Sequence, residues 1–190
     1  MSGDAHEVLR FWFGGGPLFA SRPEWFRKSD AFDREIERRF GTLIEQALRG
    51  ELAAWCENAE TALAQVIVLD QFTRNVFRNT PRAFAGDPLA LPAARSMLAR
   101  GQDQALPALQ RVFVCLPLEH AEDLDAQEES VQLFARIEGQ IGTTDGWLDF
   151  ARRHRDIVAR FGRFPHRNAI LGRPSTPEEL AFLSQPGSGF

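Results

Sequence analysis

Trp147, Phe150, His154, Ile157 and Phe161 recur at i, i+3, i+7, i+10 and i+14, a spacing that lines one face of an α-helix and no face of a strand. The same period returns along the chain between residues that start and stop helices. From Asp30 to Arg49 it places Phe32, Ile36, Phe40, Leu43 and Ala47 on one stripe, ending at Gly50. Asp4 and Glu7 open a short helix through Phe13 that stops at Gly14. Asn58 is positioned to cap a helix over 59–77. Asp87 and Pro88 open a helix to Arg100, closed by Gly101 and expected to kink at Pro92. A helix from Gln104 to Cys115 is expected to break at Pro117, and a long one to follow from Leu118 to Glu138. After a turn near Gly142, the Trp147 stripe predicts its hairpin partner over 145–161. Thr176, Pro177 and Glu179 form a capping box that predicts a short helix from Pro177 to about Leu183.

No stretch alternates with period two for long enough to argue a strand. The one β-branched run, Val66-Ile67-Val68, lies inside a capped helical pattern. The sequence therefore predicts an all-α fold of antiparallel helix pairs, as a single domain over 1–184 with a frayed tail at 185–190. Sixteen Phe and four Trp in 190 residues supply a large core. A net charge of -4 gives no general attraction to phosphate backbones or anionic lipid, so neither nucleic acid nor membrane is expected as a partner. No run approaches eighteen uninterrupted apolar residues and the N-terminus is charged, which makes the cytoplasm the expected location. Cys56 and Cys115 lack CxxC spacing and have apolar neighbours, as buried reduced thiols do.

Three polar groups interrupt this apolar periodicity. In the helix at 59–77, Leu63, Ile67, Asp70, Arg74 and Phe77 share a face, so an acid and a base meet at i, i+4 on a core stripe. Burying either one unpaired would cost several kcal/mol, so a buried ion pair is expected, with Gln71 and Asn75 beside it. At 119–123, Glu119, His120, Glu122 and Asp123 stand near the expected N-terminus of the next long helix. His120 continues the stripe Leu124, Gln127, Val131, Phe134 and is expected to point inward, with Glu119 and Asp123 together on an adjacent face. From 152 to 173, seven arginines face one acid, a local charge of +6. A hairpin turning near Gly142 sets positions 119–129 opposite 155–165, which brings the acids to the arginines.

No HExxH or ExxH spacing is present, so neither a metal nor a cofactor is expected. The glycines at 14–16 follow a helix and lack a Lys-Ser/Thr, so they form a turn rather than a phosphate cradle.

VLRFWFG at 8–14, LDQFTRNVFR at 69–78, LPLEHAED at 116–123 and FGRFPHRN at 161–168 together resemble the bacterial domain of unknown function 924. The resemblance implies an all-α domain related in shape to tetratricopeptide-repeat superhelices, with no established activity. It marks the three polar strings as family hallmarks, carried here by Asp70, Gln71, Arg74 and Asn75, by Glu119, His120, Glu122 and Asp123, and by Arg163, His166, Arg167 and Asn168.

Two functional readings follow. In the first, a polar pocket binds a small anionic ligand through Asp70, Arg74, Asn75, Glu119, Asp123, Arg163, Arg167 and Asn168, with His120 and His166 as proton carriers, whether or not a reaction occurs. In the second, the domain binds a peptide or protein partner in a tetratricopeptide-like groove and the polar cluster is a buried structural network.

Overall fold

A computed structural model describes residues 2–14, 22–25, 27–142 and 146–189. These residues contain helices and turns and no strand: the fold is all-α. The helices are α1 (Ser2–Phe13), α2 (Asp30–Leu48), α3 (Ala59–Val66), α4 (Thr73–Val76), α5 (Asp87–Ala99), α6 (Ala108–Glu119), α7 (Leu124–Ile141), α8 (Trp147–Phe161) and α9 (Pro177–Leu183). The glycine turn expected at 14–16 lies outside the described residues except for Gly14, which has φ +82°. The chain divides into two compact units, Met1–Arg78 with Arg82–Pro117, and Asn79–Pro81 with Leu118–Phe190.

The core of the first unit is aromatic. Trp12 packs edge-on to Phe72 and Phe113 with ring centroids 5.6 Å away in each case, and Trp25 meets Phe113 at 4.9 Å. α1 ends under side-chain caps: Arg22 donates to the carbonyls of Phe11 and Trp12, and Trp25 Nε1 donates to the Trp12 carbonyl at 2.8 Å. α2 begins at Ser29, whose side chain accepts from the Phe32 N–H, and it buries Ile36, Phe40, Leu43, Ile44 and Ala47. Asn58 caps α3 as expected, accepting from the Thr61 N–H at 3.0 Å.

The helix expected over 59–77 is continuous but not uniform. Between α3 and α4 the segment Ile67–Phe72 is a π-turn, with Thr73 Oγ1 donating to the Leu69 carbonyl at 2.7 Å. Gly86 rests against that carbonyl. α5 runs through Pro92 without ending.

In the second unit, α7 and α8 form the expected antiparallel hairpin. Arg155 Nη1 reaches Glu128 at 3.0 Å and the Phe164 N–H reaches Glu122 at 2.8 Å, which is the predicted register. Three helix boundaries here and in the segment before them differ from the sequence reading. α6 passes through Pro117 and stops at Glu119, and α7 begins at Leu124 rather than Leu118. Pro117 is the third residue from the end of α6 and does not end it, whereas Asp123 is extended (φ -143°, ψ 120°) and caps α7 by accepting from the Ala126 N–H. The segment expected to be helical from Gln104 is a 3-10 turn at Gln102–Ala105, with α6 starting only at Ala108.

The buried face of α8 is also rotated from the predicted stripe. Trp147, Leu148, Ala151, His154, Ile157 and Val158 are buried, while Phe150 is exposed with the Arg153 guanidinium over its ring. α9 carries the predicted capping box, Thr176 and Glu179 each accepting from the other's backbone N–H.

Candidate functional site

The end of α6 is held by α7. Gln127, fully buried, donates from Nε2 to the carbonyls of Glu119 at 2.6 Å and Ala121 at 2.8 Å, one on each side of His120. Because the chain leaves its helix at this point, Glu119 and Asp123 do not share a helical face as the sequence suggested. Glu119 is buried and Asp123 is exposed at the α7 cap. Leu124, expected on the inward stripe with His120, is also exposed.

His120 lies instead next to His154 of α8, with ring centroids 6.3 Å apart. Phe164 forms the wall of this cluster. His154 meets it edge-on at 5.5 Å, His166 lies 5.6 Å from it, and the Arg167 guanidinium sits over its ring at 4.5 Å. Glu119, His154, Phe164 and Arg167 are buried, while His120 and His166 are partly exposed. Two imidazoles and a guanidinium thus gather around one phenyl ring, and His154 in turn meets a third imidazole and a carboxyl group.

His154 Nδ1 lies 2.8 Å from the Phe150 carbonyl and 3.3 Å from Glu119 Oε1. The carboxyl contact favours an imidazolium, but burial outweighs it. With the Phe150 hydrogen bond opposing and the charges of His120, Arg167 and His166 assisting, burial pushes His154 down to about 3. The ring is therefore neutral at neutral pH, and a carbonyl 2.8 Å from Nδ1 can only accept, so the Phe150 contact calls for a hydrogen on that nitrogen. His166 is pushed down to about 4 by burial and by Arg167, with Glu122 acting in the opposite direction. Neutral imidazoles beside a permanent cation can bind an oxyanion and exchange a proton with it.

A second network surrounds the cluster. Glu122 accepts from the Phe164 N–H and from both Arg173 Nη1 at 2.5 Å and Nη2 at 2.8 Å. Arg173 Nε donates to Asn168 Oδ1, Asn168 Nδ2 donates to Glu179 Oε2, and Glu179 takes two bonds from Arg163, at 2.7 and 2.8 Å. Burial works against the Glu122 charge, yet the Arg173 hydrogen bonds and the Phe164 N–H hold its pKa below the usual carboxylate range. Of the expected ligand contacts, Arg163 and Asn168 belong to this scaffold, whereas Arg167 stands with the histidines.

The expected arginine patch is largely neutralised. Arg152 pairs with Asp149, Arg155 with Glu128 and Asp156, Arg160 with Glu178, Arg163 with Glu179 and Arg173 with Glu122. Asp156, Glu128 and Glu122 were among the residues the sequence set against it; Asp149 lies in the first turn of α8 itself, and Glu178 and Glu179 come from the C-terminal helix.

The first unit holds the remaining expected residues in two closed groups. Arg74 Nη1 lies 3.1 Å from Asp70 Oδ1 and 2.7 Å from Asp87 Oδ1, Nη2 lies 3.1 Å from Asp87 Oδ2, and Phe84 stacks beneath. Burial opposes the Arg74 charge, but Asp70 and Asp87 together raise its pKa above the ordinary value. Asn75 Nδ2 donates to Asp33 Oδ1 at 2.7 Å, and Asp33 also takes Arg78 Nε at 2.5 Å. Asp33 and Asn75 line an open groove of about 240 Å³ together with Lys28, Asp30, Arg34 and Arg78.

The residues that sequence reasoning passed over are His154, Glu122, Arg173 and Glu179, with Asp87 and Asp33 in the first unit. His154 was counted in its helical stripe and among the basic residues of 152–173, and was given no role at the site. Glu122 stood among the marked strings, but nothing in spacing connects it to Arg173, which is 51 positions away. Among the described residues, no group of three His, Cys, Asp or Glu is arranged to hold a metal ion, and no helix is long and apolar enough to cross a membrane.

No curated protein matches the chain in sequence. A solved structure does: the protein of unknown function ATU0120 from Agrobacterium tumefaciens is 44% identical, with a TM-score of 0.85 over 96% of this chain and 98% of that one. The family model described as bacterial protein of unknown function (DUF924) matches residues 8–187, spanning all four sequence strings and both polar networks, and the chain belongs to that family.

Proposed function

We propose that the second unit binds a small anionic ligand, with Arg167 as the anion contact and His120 and His166 as the groups that exchange a proton with it. The observation that carries this reading is the gathering of the Arg167 guanidinium and the His154 and His166 imidazoles around Phe164, both rings held neutral by burial, with the His120 ring beside His154. At a pH above its pKa an imidazole adds a donor and an acceptor to a site but no charge, which suits contact with a ligand more than an ion network. Arg163, Asn168 and Glu119 shape the site rather than touch the ligand, and Asp123 serves the α7 cap. The Asp70–Arg74–Asp87 group supports a different reading for the first unit's residues, a buried ion network that fixes helix packing.

The test is a thermal-shift titration of the full chain with inorganic phosphate, pyrophosphate and dicarboxylates, repeated on the His166→Ala, Arg167→Ala double variant. Binding at a hundredfold excess over Kd would stabilise the native state by about 2.7 kcal/mol. The expected result is a saturable rise in Tm with at least one anion that disappears in the double variant while its far-UV circular dichroism stays native. An equal rise in wild type and variant, or none in either, would refute the proposal.

A further inference from the structure

We propose that residues 185–189 are a strap that controls access to His166, and that the Arg153 guanidinium on α8 is the latch that holds it shut. The inference rests on the ligand site proposed above and names how that site is opened and closed. Strap, latch and histidine all lie within the second unit.

The strap begins where α9 is firmly held. Phe182 meets Phe161 of α8 with ring centroids 5.2 Å apart, Glu178 takes Arg160 and Glu179 takes Arg163. After Leu183 the chain reads Ser-Gln-Pro-Gly-Ser-Gly, with no large apolar side chain to anchor it. It folds on itself instead. The Gln185 N–H donates to the Phe182 carbonyl at 3.0 Å, the Ser188 N–H to the Gln185 carbonyl at 3.3 Å, and Ser188 Oγ to the Leu183 carbonyl at 3.1 Å. That turn carries Gly189 to the histidine cluster, where a Cβ built on it would stand 4.0 Å from His166 Cβ. Backbone, rather than a side chain, therefore lies along His166.

Arg153 Nη2 donates to the Gly187 carbonyl at 3.1 Å, which among the described residues is the hydrogen bond that the strap receives from outside α9 and its own turn. The latch is fitted at both ends. Arg153 lies over the exposed Phe150 ring, 5.4 Å from its centroid, which keeps the guanidinium on this side of α8. Gly187 has φ +76°, and a Cβ there would come within 3.3 Å of Arg153 Nη2, so a side chain at 187 would strain the turn and push on the latch together. Gln185, Pro186, Gly187 and Gly189 are exposed, so releasing the strap gives up little buried surface beyond that one bond. Two ion pairs and a ring contact hold α9, and it stays in place when the strap lifts. Opening uncovers His166 on this flank, and closing covers it again.

Diethyl pyrocarbonate acylates neutral imidazoles, so its rate at each histidine of the full chain at neutral pH reads access without any ligand. His166 is neutral there, because burial and Arg167 push it down to about 4, and His6, its side chain about half exposed, is the internal reference. The expected result is a His166 that reacts more slowly than His6 in wild type. The His166-to-His6 ratio, read by peptide mass spectrometry, should rise about three- to tenfold in Arg153→Ala and in Gly187→Val, the change in open population when one hydrogen bond is lost. Both positions are exposed, and native far-UV circular dichroism verifies that the variants fold. A ratio equal to wild type in either folded variant overturns the inference, as does a wild-type His166 that reacts as fast as His6. A His166 uncovered by the variants with no anion-induced stabilisation would sink the ligand proposal alone, and saturable anion binding with an unmoved ratio would sink this one alone.

Discussion

A Cβ placed on Gly86 would stand 1.9 Å from the carbonyl oxygen of Leu69, inside the π-turn that carries Asp70. Gly86 has φ -83°, so its glycine is required for close approach of two backbones rather than for an unusual conformation. Neither backbone can yield without disturbing α5 or the π-turn. Gly86→Ala is expected to cost about 2–3 kcal/mol, a fall of roughly 5–10 °C in Tm. Gly41→Ala supplies the contrast: it lies inside α2, where an added Cβ meets nothing within 4 Å, and should stabilise by about 0.5–1 kcal/mol. Thermal melts of the two variants check both signs, and a Gly86→Ala protein with wild-type Tm would contradict the close approach.

Arg74 is the cation that both Asp70 and Asp87 face, and Asp70 is only 1% exposed. Arg74→Met removes that cation but keeps the length of the side chain. The expected loss is about 3–5 kcal/mol, because a carboxylate in the interior then faces less positive charge. Adding Asp70→Asn to the same chain should restore part of the loss. Urea unfolding measures each step, and a Met variant within 1 kcal/mol of wild type would show that Arg74 is not needed to hold Asp70.

Acid should weaken the fold in two stages whose signs agree. His154 and His166 are neutral in the native state, with folded pKa values of about 3 and about 4 against 6.5 when unfolded. The unfolded chain therefore binds more protons below pH 6.5, and stability falls as pH drops from there toward the folded values, by up to about 1.4 kcal/mol per pH unit for each ring. Glu179 is held down to about 2, chiefly by the Arg163 hydrogen bonds, so its contribution is complete above 4.5 and lost as pH falls through 2. Chemical denaturation from pH 8 to 3 should show the slope beginning near 6.5. His154→Gln should remove about one proton from it, and a profile flat between 6.5 and 5 would argue that these rings are charged in the folded protein.

How much of this was legible in sequence follows from the range of each interaction. Thr176 and Glu179, Asn58 and Thr61, and the α2 stripe are local, and spacing alone located them. Asp123 is local too, but the sequence offered two breaks within seven residues, and Pro117 was given the role that the Asp123 cap performs. Phe150 looked like a core residue because an aromatic at helical spacing usually is one; the buried face is set by which side α7 presses against, and that is tertiary. The +6 stretch was expected to meet the acids of 119–129, whereas Glu178 and Glu179, which also cancel part of it, reach it only through the fold. The histidine cluster shows the same limit. His120 and His166 were recognised as candidates from their strings, but the ring between them, His154, is brought there by the α7–α8 hairpin.

The pair Glu122–Arg173 joins the segment before α7 to the segment after Phe164, and it sets the position of the wall on which the histidines rest. Glu122 receives three hydrogen bonds, two of them from a guanidinium, and Arg173 also reaches the Phe164 carbonyl at 3.2 Å. Both side chains are about one quarter exposed, so solvent screens part of the attraction, and the worth of the pair is best taken from its geometry. Glu122→Ala and Arg173→Ala should each destabilise by roughly 1–3 kcal/mol, and the double variant by less than their sum. A coupling energy above about 1 kcal/mol in the double-mutant cycle is expected, measured by urea unfolding. The same variants should lose the anion-induced rise in Tm, because Phe164, His166 and Arg167 move together when the Phe164 N–H is released. A coupling near zero would mean that each residue acts through other partners, and that the wall is held by packing alone.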